Sequence, residues 1–240
     1  MKGQLVPTTA FRKLLLSAAS AALCISFAQD SQAGMITGVQ MFGLQAGTGP
    51  GLGTVQVPVV NSFNKDNDNQ VGGGEFDNNI TVPIKRFDNP GYIDIVFNVD
   101  PTNGTTEYKL FESVDNNTGY NWRFYRMELG FGVGAGFVPS PAGDGLDFDG
   151  PTYDTAPNAT AFTNVVLNED VLLFNNGLHS TGAEFYQFRI DVPNLPPDVR
   201  SFTLRQSIPP DGIVPEPSTM ILAALAGIGG LALTWRRRVS

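Results

Sequence analysis

Apolar and polar residues alternate with a period of two through the middle of the chain. Ile93, Ile95, Phe97 and Val99 fall on one side of an extended segment, and Asp94, Asn98 and Asp100 fall on the other. Tyr186, Phe188, Ile190 and Val192 alternate in the same way with Gln187, Arg189 and Asp191. A strand turns successive side chains to opposite faces, so both segments are predicted as half-buried β-strands. Less regular runs predict further strands over residues 36–42, 54–60, 80–84, 107–114, 120–129, 161–167 and 202–206. Within 120–129 the apolar set passes from Trp122 and Phe124 to Tyr125, Met127 and Leu129, a slip of phase that a β-bulge would produce. The segment over 169–174 is too short to assign, although Val171 to Phe174 could form a brief strand. Turn-forming residues separate the runs at 88–91, 101–104, 116–119, 139–145 and 194–197. About nine short strands spaced in this way predict an all-β fold, an antiparallel two-sheet sandwich or jelly roll. No segment repeats at a period of 20 to 50 residues, which argues against a propeller or solenoid.

Composition narrows the chemistry. The 240 residues include 27 glycines and 17 prolines with only 16% charged, which argues against long helices and coiled coils and fits one domain or two. Cys24 and His179 are the single cysteine and the single histidine, so a disulfide framework, a Cys/His zinc site and a Cys-His catalytic pair are all excluded within one chain. The net charge is -8, yet 21 of the 23 acidic residues and only 9 of the 15 basic ones lie within residues 34–213, giving that stretch -12. Such a surface has no basic groove for nucleic acid and attracts cations instead.

The two ends follow a different pattern. Residues 1–33 open with Lys2, Arg12 and Lys13, continue as an apolar run and reach small residues at Ala28 and Ala33, as a Sec-type signal peptide does. Cleavage after either alanine fits the small-x-small rule. Cys24 lies inside the apolar run and is lost on cleavage, unless it is a lipidation site. At the other end, Pro215, Glu216 and Pro217 lead into an apolar run from Met220 to Trp235, closed by Arg236, Arg237 and Arg238. As a helix that run would span about 24 Å, short of a bilayer core of about 30 Å but extended by its flanks and by snorkelling arginines. Three arginines held in the cytoplasm put the bulk of the chain outside the inner membrane. Three regions result: a signal peptide over 1–33, an exported β-domain over 34–213, and a sorting and single-helix anchor segment over 214–240.

In their order, Val-Pro-Glu-Pro-Ser, an apolar helix and an arginine cluster at the chain end resemble the PEP-CTERM sorting signal of Gram-negative and related bacteria. The resemblance implies recognition by an exosortase, a membrane protease-transpeptidase, with Pro215, Glu216 and Pro217 as recognition residues. It also implies transient residence in the inner membrane, then delivery to the cell surface or an exopolysaccharide matrix.

Within the exported region, Asn64, Asp66, Asp68 and Glu75 occupy positions 1, 3, 5 and 12 of an EF-hand-like loop. Alternate oxygen ligands closed by a final carboxylate suit calcium. Asn64 stands where aspartate is usual, Asn69 stands where glycine is usual, and the flanks read as strands, so a solvated polar loop is the competing reading. A second acidic group, Asp144, Asp147, Asp149 and Asp154, is expected to be exposed. His179, among turn residues, is expected at the surface. Tyr120, Trp122, Phe124 and Tyr125 are expected in the core rather than on a sugar-binding platform. No Gly-x-Ser-x-Gly elbow accompanies the histidine, and no catalytic residue is assigned. The expected role is therefore that of a non-enzymatic structural or adhesive matrix protein. The alternative is a carbohydrate-binding module or polysaccharide-active enzyme of the same matrix.

Overall fold

A computed structural model describes residues 34–63, 78–101, 106–149, 156–209 and 212–215. Sixteen strands run through the described residues. In the first half they are β1 (Gly34–Val39), β2 (Leu52–Val55), β3 (Val59–Asn61), β4 (Asn79–Phe87), β5 (Tyr92–Pro101), β6 (Thr106–Asn116), β7 (Tyr120–Trp122) and β8 (Tyr125–Phe131). In the second they are β9 (Val138–Pro139), β10 (Asp147–Phe148), β11 (Asn158–Ala159), β12 (Phe162–Asn168), β13 (Val171–Gly177), β14 (Gly182–Val192), β15 (Ser201–Ser207) and β16 (Ile213–Pro215). A 3-10 turn lies at Gly134–Gly136.

The strands form two large sheets and one small one. The first sheet is ordered β1-β5-β15-β8-β13-β12, with β9 at the end of β8. The second is ordered β10-β14-β6-β4-β2, with β11 on β14 and β3 on β4. Its backbone is the β14–β6 ladder, which runs without a break from Gly182↔Asn116 to Val192↔Thr106. The pairing is not antiparallel throughout, since β4 and β6 are parallel neighbours. Between them the chain crosses to the first sheet as β5, so it re-enters the second sheet travelling in its original direction.

Period-two alternation works here because each sheet turns one face inward. Ile93, Ile95, Phe97 and Val99 of β5 are buried with Phe202 and Leu204 of β15, opposite Tyr108, Leu110 and Val114 of β6 and Phe188 and Ile190 of β14. Each such side chain contributes about 1.5–3 kcal/mol on burial. The layers also touch through polar groups, as where the Ile36 amide of β1 donates to the Tyr108 hydroxyl of β6 at 2.8 Å.

Several expected strands are corrected. Residues 54–60 hold two short strands, β2 and β3, separated at Pro58, which has no amide hydrogen for the ladder. The slip within 120–129 is a change of partner rather than a bulge: β7 pairs with β16, whereas β8 pairs with β15 and β13. The short run at 171–174 is part of β13, an interior strand bonded on both edges.

Not every polar residue of the alternation faces water. Asp94 is fully buried on the outer face of the first sheet. Arg205 binds it bidentately at 2.7 and 2.8 Å while lying between the rings of Tyr92 and Phe137, each 4.0 Å away. The Gly134 amide donates to the same carboxylate at 2.8 Å, and Arg205 donates to the Gly134 carbonyl at 2.8 Å. At φ 62° Gly134 adopts the left-handed conformation, which glycine tolerates best. Arg189 is likewise buried and paired with Glu107, against the expectation that it faces solvent.

Candidate functional site

The end of the domain that carries its C terminus is built on β7. Trp122 is fully buried and its indole Nε1 donates to Thr118 Oγ1 at 3.1 Å. Its ring stacks on Tyr125, with centroids 5.8 Å apart, and meets Phe87 edge-on at 5.3 Å. The core expectation therefore holds for Trp122 and Tyr125, whereas Phe124 is only half-buried and Tyr120, expected in the core, is exposed. Asn116 closes the turn before β7: its Nδ2 donates to the Tyr120 carbonyl at 2.7 Å and to the His179 carbonyl at 3.1 Å, and its Oδ1 accepts from the Thr118 amide at 3.1 Å.

His179 is buried here, contrary to its expected place at the surface. Its backbone exchanges two hydrogen bonds with Trp122, both at 2.9 Å. Nε2 donates to the Gly182 carbonyl at 3.1 Å, which leaves Nδ1 to accept from the Tyr186 hydroxyl at 2.9 Å. Burial pushes its pKa below 6.5, because the charged form would lose its hydration. Flanking glycine and serine suggested a turn, but the segment instead sets His179 in a bridge opposite Trp122.

On this platform the chain makes its last described strand. Ile213, Val214 and Pro215 of β16 pair with Trp122, Asn121 and Tyr120. Arg123 donates its amide to the Gly212 carbonyl at 2.7 Å, and Gly212 donates to Pro209 at 2.8 Å. A Cβ at Gly212 would lie 3.1 Å from the Phe124 ring, so glycine permits this approach. Ile213 is half-buried against the core. Pro215 thus lies on the folded body, while Glu216, Pro217, Met220, Trp235 and Arg236 to Arg238 lie outside the described residues. No helix among the described residues is long and apolar enough to cross a membrane.

The candidate calcium ligands Asn64, Asp66, Asp68 and Glu75 also lie outside the described residues, as does Asp154. In the second acidic group Asp144 is exposed as expected, but Asp149 is buried and Asp147 half-buried. Asp144 is engaged locally, accepting from Ser140 Oγ at 2.7 Å and from the Leu146 amide at 2.9 Å. Burial first, then Glu169, Asp144 and Asp149, raise Asp147 to about 6. Asp170 is raised to about 6 by burial and by Asp144 and Glu169. Among the described residues no group of three or more His, Cys, Asp or Glu side chains is arranged to hold a metal. A cleft of about 320 Å³ nearby is lined by Phe131, Pro193, Leu195 and Val199, beside Asp144 and Asn194.

Sequence reasoning missed a fully enclosed polar cluster. Lys85 of β4, Glu112 of β6 and Gln206 of β15 are all without exposure to solvent or nearly so, in the layer between the sheets. Lys85 Nζ donates to Glu112 Oε2 at 2.6 Å, and Gln206 Nε2 donates to both Glu112 oxygens at 2.8 and 2.9 Å. The signal available was phase: Glu112 alternates with Leu110 and Val114 on the inward face of β6.

These elements define the class: an all-β, two-sheet body whose last described strand, β16, carries the start of the C-terminal segment. That segment carries a PEP-CTERM protein-sorting motif, whose family model matches residues 214–238. The motif implies an exported protein processed by an exosortase and sorted toward the cell surface. No curated protein and no solved structure matches the chain.

Proposed function

We propose that this is a non-enzymatic structural or adhesive protein of the cell surface or exopolysaccharide matrix. In this reading residues 1–33 direct export, and the helix from Met220 to Trp235 holds the chain briefly in the inner membrane. An exosortase that reads Pro215, Glu216 and Pro217 then releases it. The observation that carries the reading is at β16, the last described strand: the sorting motif begins within it, at Val214, so its first residues are paired to the folded body through β7. Four residues separate Pro215 from Met220, and an extended chain spans at most about 3.6 Å per residue, so the anchored body stays within roughly 20 Å of the membrane surface. The test is to purify the protein from its native cell envelope and locate its C terminus by mass spectrometry. A terminus between Pro215 and Met220 is expected. Surface-delivered protein that retains Arg236 to Arg238 would contradict processing.

A further inference from the structure

Residues 34–213 contain no cysteine, so an exported domain of this chain has no disulfide to brace it. Its interior nevertheless holds an amine and a carboxamide that both bind one carboxylate. Lys85 Nζ and Gln206 Nε2 both donate to Glu112 Oε2, at 2.6 and 2.8 Å, which brings the two nitrogens to one shared oxygen. Tyr125 donates its hydroxyl to Gln206 Oε1 at 3.1 Å. Lys85, Glu112, Tyr125 and Gln206 are all fully buried. The Tyr125 ring lies 5.8 Å from Nζ, and Phe87 and Trp122 pack beside that ring.

We propose that Lys85 and Gln206 are the two ends of a self-formed isopeptide cross-link, with Glu112 as the proton carrier and Tyr125 as the donor that steadies the carbonyl oxygen. The Nζ lone pair attacks Cδ of Gln206, forming a C–N bond as negative charge gathers on Oε1 beside the Tyr125 hydroxyl. Nζ gives up two of its three protons in turn to Glu112, which passes them to Nε2. The Cδ–Nε2 bond breaks and the nitrogen leaves as ammonium. An amine and a primary amide become a secondary amide, and Glu112 ends as it began, so the step needs no oxidant or second reactant. The site favours the reactive form of the lysine: burial strips its hydration more than Glu112 compensates, lowering Lys85 to about 8. The product would join β4 of one sheet to β15 of the other.

The full-length protein, shown to be folded by circular dichroism, would be unfolded in detergent, digested with trypsin and mapped by mass spectrometry. The expected result is that Lys85 is no longer a cleavage site. A branched peptide then joins the segment ending at Arg86 to the segment beginning at Gln206, with a mass lower by one ammonia. Glu112→Gln keeps the shape but removes the proton carrier, so the folded variant should give linear Lys85 and Gln206 peptides. The wild-type map decides the question even if that variant fails to fold. Linear Lys85 and Gln206 peptides in full yield from the folded wild type would overturn the proposal. So would a branch between Lys85 and Glu112 with loss of one water, because Glu112 would then be the acyl donor.

Discussion

At the scale of the residue, the charged groups that sequence alternation turns outward are among the most constrained in the molecule. Asp94 is fully buried, and its partner Arg205 fills the space between two rings. Removing one member of such a pair leaves an uncompensated charge, so Arg205→Ala should lower stability by about 3 kcal/mol in urea denaturation. Arg205→Lys should recover only part of this, because an ammonium cannot bind both carboxylate oxygens in the same plane. The titrating groups act in opposite directions. Asp147 and Asp170 have folded pKa values raised to about 6, so the folded state binds more protons than the unfolded state between about pH 4 and 6, and stability falls as pH rises through that window. His179 is lowered, so its contribution is lost as pH falls through 6.5. Asp147→Asn should therefore raise the melting temperature at pH 8 and leave it nearly unchanged at pH 4. Solvent screening at this half-buried site holds the gain below about 1 kcal/mol, or 2–4 °C.

At the scale of the element, periodicity revealed the strands that bury a regular apolar face and concealed those defined by their partners. β5 and β14 were legible because Ile93 to Val99 and Tyr186 to Val192 alternate strictly. β13 was not, because its apolar residues Val171 to Phe174 run without alternation before Asn175, Asn176 and Gly177, and its pairing with β8 is set by a segment distant in sequence. The same holds for the site: Pro215 was legible as part of a motif, but nothing local showed that it pairs with Tyr120. That pairing should be separable from the main fold. Ile213→Ser removes a half-buried contact of about 1 kcal/mol, which should speed protease cleavage near β16 about five-fold when opening is rapid. The midpoint of global unfolding should barely change, because β16 pairs with β7 alone, outside both large sheets. An equal change in both would mean that β16 unfolds only with the whole domain.

At the scale of the whole molecule, a strongly acidic two-sheet body carries a sorting signal that begins in its last described strand, and the two parts make different demands. The body's charge of -12 over residues 34–213 calls for cations. If the loop from Asn64 to Glu75 binds calcium with a Kd of about 0.1 mM, then about 10 mM calcium should add roughly 2.7 kcal/mol. Asp68→Ala with Glu75→Gln should erase the resulting rise in melting temperature, and a rise that survives both substitutions would exclude this loop. The tail's demand is recognition. Glu216→Ala leaves Met220 to Trp235 and the three arginines untouched, so it should insert in the membrane as the wild type does. The most direct test is a pulse-chase of wild type and Glu216→Ala through membrane and released fractions. Both should enter the inner membrane equally and only the wild type should leave it, whereas equal release of the variant would contradict sorting through this motif.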